Sequence, residues 1–263
     1  MKKFAFLLCF LIIQISAQTG LSVSPPRVYF ETAPGSSSTQ KITVTNVSAK
    51  HTLDLAVSLG DWEYDERGEN IMHPANTLEN SCAQWITINK EDTYFTLAPG
   101  ERKDINVTLT TPTLAKDKLA THTALLFVSQ MNPVEGTDSK GAKLKVSVKS
   151  GIKIFHKKSE TTARKIEIQD MKFDIAKKIL NLQFKNHSEL WIDGKISTDF
   201  INTTTGKKIS IDPTVFYTLP GDVRKLSIPV NGLEEKGAYN LSVLIDYGDD
   251  NVLEMAELNF NYE

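Results

Sequence analysis

Few residues in this chain have the type and spacing that chemistry requires. The five histidines, His51, His73, His122, His156 and His187, are scattered without a metal-ligand spacing such as His-x-x-x-His. Cys9 and Cys82 form no Cys-x-x-Cys pair, and no Gly-x-Ser-x-Gly turn offers a serine nucleophile. The run Asp246-Tyr247-Gly248-Asp249-Asp250-Asn251 is rich in oxygens but departs from the Asp-x-Asp-x-Asp-Gly order that spaces calcium ligands. It reads instead as a hairpin turn between two alternating strands. Residues 61–68 read likewise as a strand running into a solvated turn. Asn-x-Ser/Thr triplets begin at Asn46, Asn106, Asn186, Asn202 and Asn240. They are glycan acceptors in a eukaryotic secreted protein, or chance products of Ser- and Thr-rich strands. The sequence points away from an enzyme and requires no metal and no cofactor.

What remains is binding chemistry, and residues 143–156 are its best carrier. They read Lys143-Leu144-Lys145-Val146-Ser147-Val148-Lys149-Ser150-Gly151-Ile152-Lys153-Ile154-Phe155-His156. In an extended chain Leu144, Val146, Val148, Ile152 and Ile154 share one face, and Lys145, Lys149 and Lys153 the other. At about 3.3 Å per residue, one continuous strand here exceeds the usual strand length. Two readings fit. The segment is the last strand of a sandwich whose lysines guard an edge against unwanted pairing. Alternatively, it is an edge offered to another protein, with backbone hydrogen bonds and apolar pegs.

The elements that must position this strand follow from composition and period. The chain has 263 residues, 30 Lys+Arg against 32 Asp+Glu, a net charge of −2 and 40% hydrophobic residues. That is enough for packed cores in one large or two ordinary domains, and it excludes disordered and collagen-like chains. No cationic excess favours nucleic acid as a partner. Alternation of period two recurs in Lys41-Ile42-Thr43-Val44-Thr45-Asn46, Asp104-Ile105-Asn106-Val107-Thr108-Leu109, Ile179-Leu180-Asn181-Leu182-Gln183-Phe184 and Asn240-Leu241-Ser242-Val243-Leu244-Ile245. Pro34-Gly35, Pro99-Gly100 and Pro220-Gly221 punctuate the strands. Only residues 113–119 and 234–236 suggest a helical turn.

The strands form two matching sets. Asn46-Val47-Ser48 parallels Asn186-His187-Ser188, and Leu97-Ala98-Pro99-Gly100-Glu101 parallels Leu219-Pro220-Gly221-Asp222. Residues 120–128 correspond to 237–247. About seven regularly spaced strands per set suggest a two-sheet sandwich. The fold class is therefore all-β, with two tandem immunoglobulin-like β-sandwich domains at residues 18–158 and 159–263. The joint at residues 157–162 lacks Gly and Pro, which predicts a fixed angle between them. Residues 1–17 carry a charged head, a short apolar run and the small exit residue Ala17, the pattern of a cleavable signal peptide. Cleavage removes Cys9 and leaves an exported chain with no membrane span. Cys82 then has no disulfide partner, which excludes a Cys–Trp–Cys core, and it reads as a buried small hydrophobe.

Arg27-Val28-Tyr29-Phe30, following Ser24-Pro25-Pro26, together with Leu144, Val146 and Val148 leading into Ile152-Lys153-Ile154-Phe155, resembles the periplasmic chaperones of pilus and fimbrial assembly (the PapD-like, chaperone–usher family). Asn46 and the Leu97-x-Pro99-Gly100 turn fit the same pattern. The family's Asp-Arg-Glu-Ser-Leu-[Phe/Tyr] stretch is absent, its place held by residues 116–123. The resemblance implies a periplasmic, ATP-independent chaperone for secreted, β-rich, pilin-like subunits, working with an outer-membrane usher. It implies Arg27 and Lys153 as anchors for a subunit's C-terminal carboxylate. Leu144, Val146 and Val148, with Ile152 further along the strand, would be the donated residues that fill the subunit's groove. The alternative is an envelope or cell-surface adhesion or scaffold module without chaperone activity, whose contacts would be the loops at 61–70 and 133–142.

Overall fold

The computed structural model describes residues 20–113, 119–137, 141–158, 163–248 and 253–263. The expected signal peptide, most of the joint at 157–162 and most of the expected helical turn at 113–119 lie outside the described residues. The first half comprises β1 (Leu21–Ser24), β2 (Arg27–Glu31), β3 (Ser37–Asn46), β4 (Leu53–Tyr64), β5 (Asn70–Pro74), β6 (Ile86–Ile88), β7 (Tyr94–Leu97), β8 (Arg102–Thr110), β9 (Thr121–Gln130), β10 (Val134–Thr137), β11 (Lys143–Val146) and β12 (Lys149–Lys157). The second comprises β13 (Ile166–Asp174), β14 (Ile179–Asn186), β15 (Ile192–Asn202), β16 (Lys208–Thr218), β17 (Val223–Pro229), β18 (Gly237–Asp246) and β19 (Leu253–Tyr262). Among the described residues one short helix, α1 (Lys90–Thr93), and a single 3-10 turn at Ala83–Trp85 interrupt the strands. Residues 234–236 form no helix.

In the first sandwich the order β1-β3-β8-β6 faces the order β2-β12-β9-β4-β5, with β7 also paired to β4. Ser24-Pro25-Pro26 carries the chain from one sheet to the other, since proline supplies no ladder donor and suits a strand boundary. Alternation delivers Ile42, Val44, Ile105, Val107 and Leu109 from one sheet against Val28, Phe30, Leu55, Leu126, Val128, Ile152 and Ile154 from the other. Cys82 is fully buried in this core, and burial raises its thiol pKa. The second sandwich packs β13-β14-β17 on β16-β15-β18-β19 around Leu180, Phe184, Phe200, Leu241 and Val243.

The expected continuous strand at 143–156 is broken. β12 belongs to the larger sheet, whereas β11 pairs only with β10 in a separate two-stranded ribbon. The cause is Gln130. Its backbone N–H donates to Val148 O at 2.8 Å, its carbonyl accepts from Ser147 Oγ, and its side-chain Oε1 accepts the Val148 N–H at 3.3 Å. Met131 N then turns away to Asp54 O at 2.8 Å. A side chain that satisfies the backbone locally ends a ladder as well as proline does.

The repeated Asn-x-Ser and Leu-x-Pro-Gly or Leu-Pro-Gly signatures build the same corner twice. Asn46 Nδ2 donates to the carbonyls of His51, Leu97 and Ala98, and Asn46 Oδ1 accepts Ser48 N. Asn186 Nδ2 donates to Leu190 O and Thr218 Oγ1, and Asn186 Oδ1 accepts Ser188 N. Gly100 N and Gly221 N each donate to the backbone carbonyl of their asparagine at 3.0 Å. Both asparagines are fully buried, so their amides replace water as donors to the adjoining loop. Asn46→Ala and Asn186→Ala are each expected to cost about 2–3 kcal/mol, the penalty for stranded buried acceptors. Urea unfolding at pH 7 checks this, and a loss within 0.5 kcal/mol, about that of an ordinary surface change, would contradict it.

His156 sits beneath this core with Nε2 at 3.0 Å from Thr32 Oγ1 and 3.2 Å from Thr111 Oγ1, beside the rings of Trp85 and His122. Burial, then the neighbouring His122, lowers its pKa to about 4. An unfolded histidine titrates near 6.5, so between about 6.5 and 4 the unfolded chain binds the extra proton. Stability is therefore full above that window and falls as pH drops through it. The urea midpoint should decline from pH 7 to 4.5, and His156→Gln should flatten that decline; equal slopes would refute it.

Candidate functional site

The sequence of β9, Thr-His-Thr-Ala-Leu-Leu-Phe-Val-Ser-Gln, does not alternate, and nearly every residue in it is buried. One face meets the first core. The other, with Leu125 and Phe127, joins Trp62 and Tyr64 of β4 and Phe155 of β12 in an aromatic surface. The second domain covers that surface with Leu219 and Trp191, whose ring lies 5.1 Å from Phe155 and 5.6 Å from Tyr29. Polar pins flank the contact. Arg224 is 1% exposed, donating from Nε to Tyr217 O, from Nη1 to Asp65 O and from Nη2 to Asp222 Oδ2. Lys225 meets Glu66 twice, backbone N to O at 2.7 Å and Nζ to Oε2 at 2.7 Å.

The site stands at the edge of this interface. β2 runs parallel to β12, and the register sets Arg27 opposite Lys153. Arg27 Nη1 donates to Asp193 Oδ2 of β15 at 2.8 Å, and its guanidinium lies 4.1 Å from the centre of the Tyr217 ring. Lys153 Nζ donates to Tyr64 Oη at 2.9 Å and lies over the rings of Trp62 at 4.0 Å and Tyr64 at 4.1 Å. Aromatic faces attract cations, which lets a lysine stay charged where water is scarce. Among the described residues no carboxylate lies within ion-pair distance of Lys153. Burial first, then the charge of Arg27, lowers the Lys153 pKa to about 8, with Asp193 opposing. Burial raises the Asp193 carboxyl above its usual range, against the pull of Arg27. The Tyr64 hydroxyl is pushed up, mainly by burial.

A vacant strand lane leads to these cations. β2 covers the outer edge of β12 only from Lys153 onward, where Lys153 N donates to Pro26 O at 3.1 Å. Among the described residues no strand pairs with that edge of β12 along residues 149–152, and β11 ahead of it pairs with β10 alone. Beside it Leu144 is 46% exposed and Val146 51%, large values for such apolar side chains, and Val148 is half-buried. Ile152, expected to face a subunit with them, is 1% exposed and belongs to the first core, because in β12 its parity matches Ile154. An open pocket of about 410 Å³ lies beyond Arg27, lined by Asp193, Gly194, Lys195, Val215 and Tyr217 among others. Gly194 is required there, since a Cβ would fall 2.5 Å from Asp246 O and 2.6 Å from the Phe216 ring.

Arg27 and Lys153 were legible in the sequence, but Trp62, Tyr64, Trp191, Asp193 and Arg224 were not. The one available signal was the unbroken apolar run in β9, which asks for a partner on both faces. Of the two loops considered for a scaffold module, the turn at residues 65–68 is occupied by Arg224 and Lys225, and Asp61 is buried, accepting from Thr77 N, Leu78 N and Ser81 Oγ. Residues 61–70 are thus largely built into the fold. Residues 138–140 of the other loop lie outside the described residues, and its flanks pair as β10 and β11.

Lys153 should titrate near 8, well below an ordinary lysine. NMR of reductively methylated lysines would show this resonance moving up in pKa in Arg27→Ala, which removes a neighbouring cation, and down in Asp193→Asn. An ordinary lysine titration in all three proteins would contradict this electrostatic account.

No known family profile matches the chain, and no curated protein matches it. Among solved structures it is similar to the E. coli chaperone DraB, at 18% identity over 91% of this chain and 99% of that one, with a TM-score of 0.47. It is similar to the YadV chaperone at 14% identity, covering 92% and 98%, with a TM-score of 0.46. It is also similar to a Salmonella enterica SafA pilin–SafB chaperone structure, at 13% identity, covering 91% and 96%, with a TM-score of 0.48.

Proposed function

We propose that this protein is an exported, ATP-independent chaperone that caps β-rich, pilin-like subunits by lending them the strand edge at residues 143–152. The vacant lane that stops at a pair of cations carries the reading. β2 fills the same lane further along and runs parallel to β12. A visiting strand that continues β2's lane in the same direction would end with its C-terminus at Arg27 and Lys153. An antiparallel visitor would bring an α-ammonium to two cations, so charge selects the parallel one. Arg–carboxylate and Lys–carboxylate hydrogen bonds are charge-assisted and strengthen where water is scarce. Such an anchor fixes register, and register decides which apolar side chains meet the visitor's groove. Leu144, Val146 and Val148 are the donated residues in this reading, whereas Ile152 supports the strand from within the core.

The rest of the proposal follows from where such clients exist. Residues 1–17 act as a signal peptide, the domains at 18–158 and 159–263 work in the periplasm, and an outer-membrane usher receives the loaded complex. The test is capture. Tagged protein from the envelope fraction of its native host should carry a small β-rich subunit in near-equal amount. Val146→Asp, or Arg27→Ala combined with Lys153→Ala, should reduce capture at least tenfold, the equivalent of about 1.4 kcal/mol. Equal capture by all three proteins would sink the chaperone reading and leave a two-domain binding module.

A further inference from the structure

Arg27, the expected carboxylate anchor, already holds a carboxylate. It belongs to Asp193, which reaches across from the second domain at 2.8 Å. Lys153, its neighbour in register, holds none among the described residues. We infer that Asp193 is an internal substitute for the client's terminal carboxylate, and that a client binds by exchanging its own carboxylate for Asp193 at Arg27. This rests on the carboxylate-anchoring reading above and adds the residue that sets its strength.

Three observations support exchange over simple addition. A second carboxylate entering beside Asp193 would face a like charge, so the arrival of one favours the departure of the other. Asp193 has somewhere to go, because its side chain is 39% exposed and borders the open pocket with Gly194 and Lys195. Arg27 would not be stranded, since its five N–H donors and its stacking on Tyr217 tolerate a change of acceptor. Asp193 therefore offsets the charge of Arg27 while the cleft is empty and competes with every client. Chains that end in a free carboxylate and also pair along the strand edge outcompete it; a free carboxylate alone, or a strand with a blocked end, does not.

The probe is a strand peptide of alternating valine and threonine, long enough to span residues 143–152, made with a free C-terminus and as the amide. Binding is read by fluorescence anisotropy against the full chain. Asp193→Asn should tighten the free-acid peptide about tenfold or more and leave the amide unchanged. An unchanged or weaker free-acid affinity in Asp193→Asn, with wild type still preferring the acid, would overturn the exchange and leave the anchor standing; a weaker one would mark Asp193 as a residue that merely positions Arg27. No preference for the acid in either protein, including no binding at all, would remove the anchor and the exchange together. Should Asp193→Asn fail to fold, the wild-type Arg27 Nε and Asp193 carboxyl NMR resonances decide. Both should move with the acid and not with the amide, and silence would refute the exchange.

Discussion

Parallel pairing of β2 with β12 sets two cations, Arg27 and Lys153, side by side on neighbouring strands at the margin of a dry interface. In water such neighbours would cost little; half-buried, they repel through a weaker dielectric and need compensation. The molecule supplies it from three directions. Asp193 arrives from the second domain, the rings of Trp62, Tyr64 and Tyr217 turn their faces to the cations, and the Tyr64 hydroxyl accepts from Lys153. Burial first, and then the charge of Arg27, still lowers the Lys153 pKa, against the pull of Asp193.

The same arrangement couples the two domains. Two of the compensating groups, Asp193 of β15 and Tyr217 of β16, are mounted on the second domain, so their part of the cleft's electrostatics holds only while that domain stays seated on the aromatic face of the first. Trp191 and Leu219 provide the apolar part of that seat. Arg224 and Lys225 provide the directional part through the turn at residues 65–68. An apolar contact alone would let the domains slide, whereas hydrogen bonds to backbone carbonyls tolerate little displacement.

Local and nearly local physics explains why much of this was readable from the chain. Alternation reports which face of a strand is wet, so all-β architecture and part of both cores followed from pattern. The doubled Asn-x-Ser and Pro-Gly signatures announced two similar domains because one buried amide ties the adjoining loop to the strand end in each. The break between β11 and β12 was not readable, since it depends on Gln130 reaching a segment that is remote in sequence. The burial of Ile152 is the related lesson. Parity placed it with Leu144, Val146 and Val148, but only Ile152 lies where the second sheet stands behind the strand.

By itself the sequence determined the strands, their wet and dry faces, the two-sandwich plan and the candidate cations, because each depends on neighbours within a few residues. Tertiary structure decided what those cations meet. Asp193 is 166 residues from Arg27 along the chain. No periodicity marks a long-range ion pair, since a single Asp in a strand looks like any solvated one until a second domain is docked. It also decided that, among the described residues, no strand lies beside β12 ahead of β2, for an open edge is a property of every strand at once and is written in none of them.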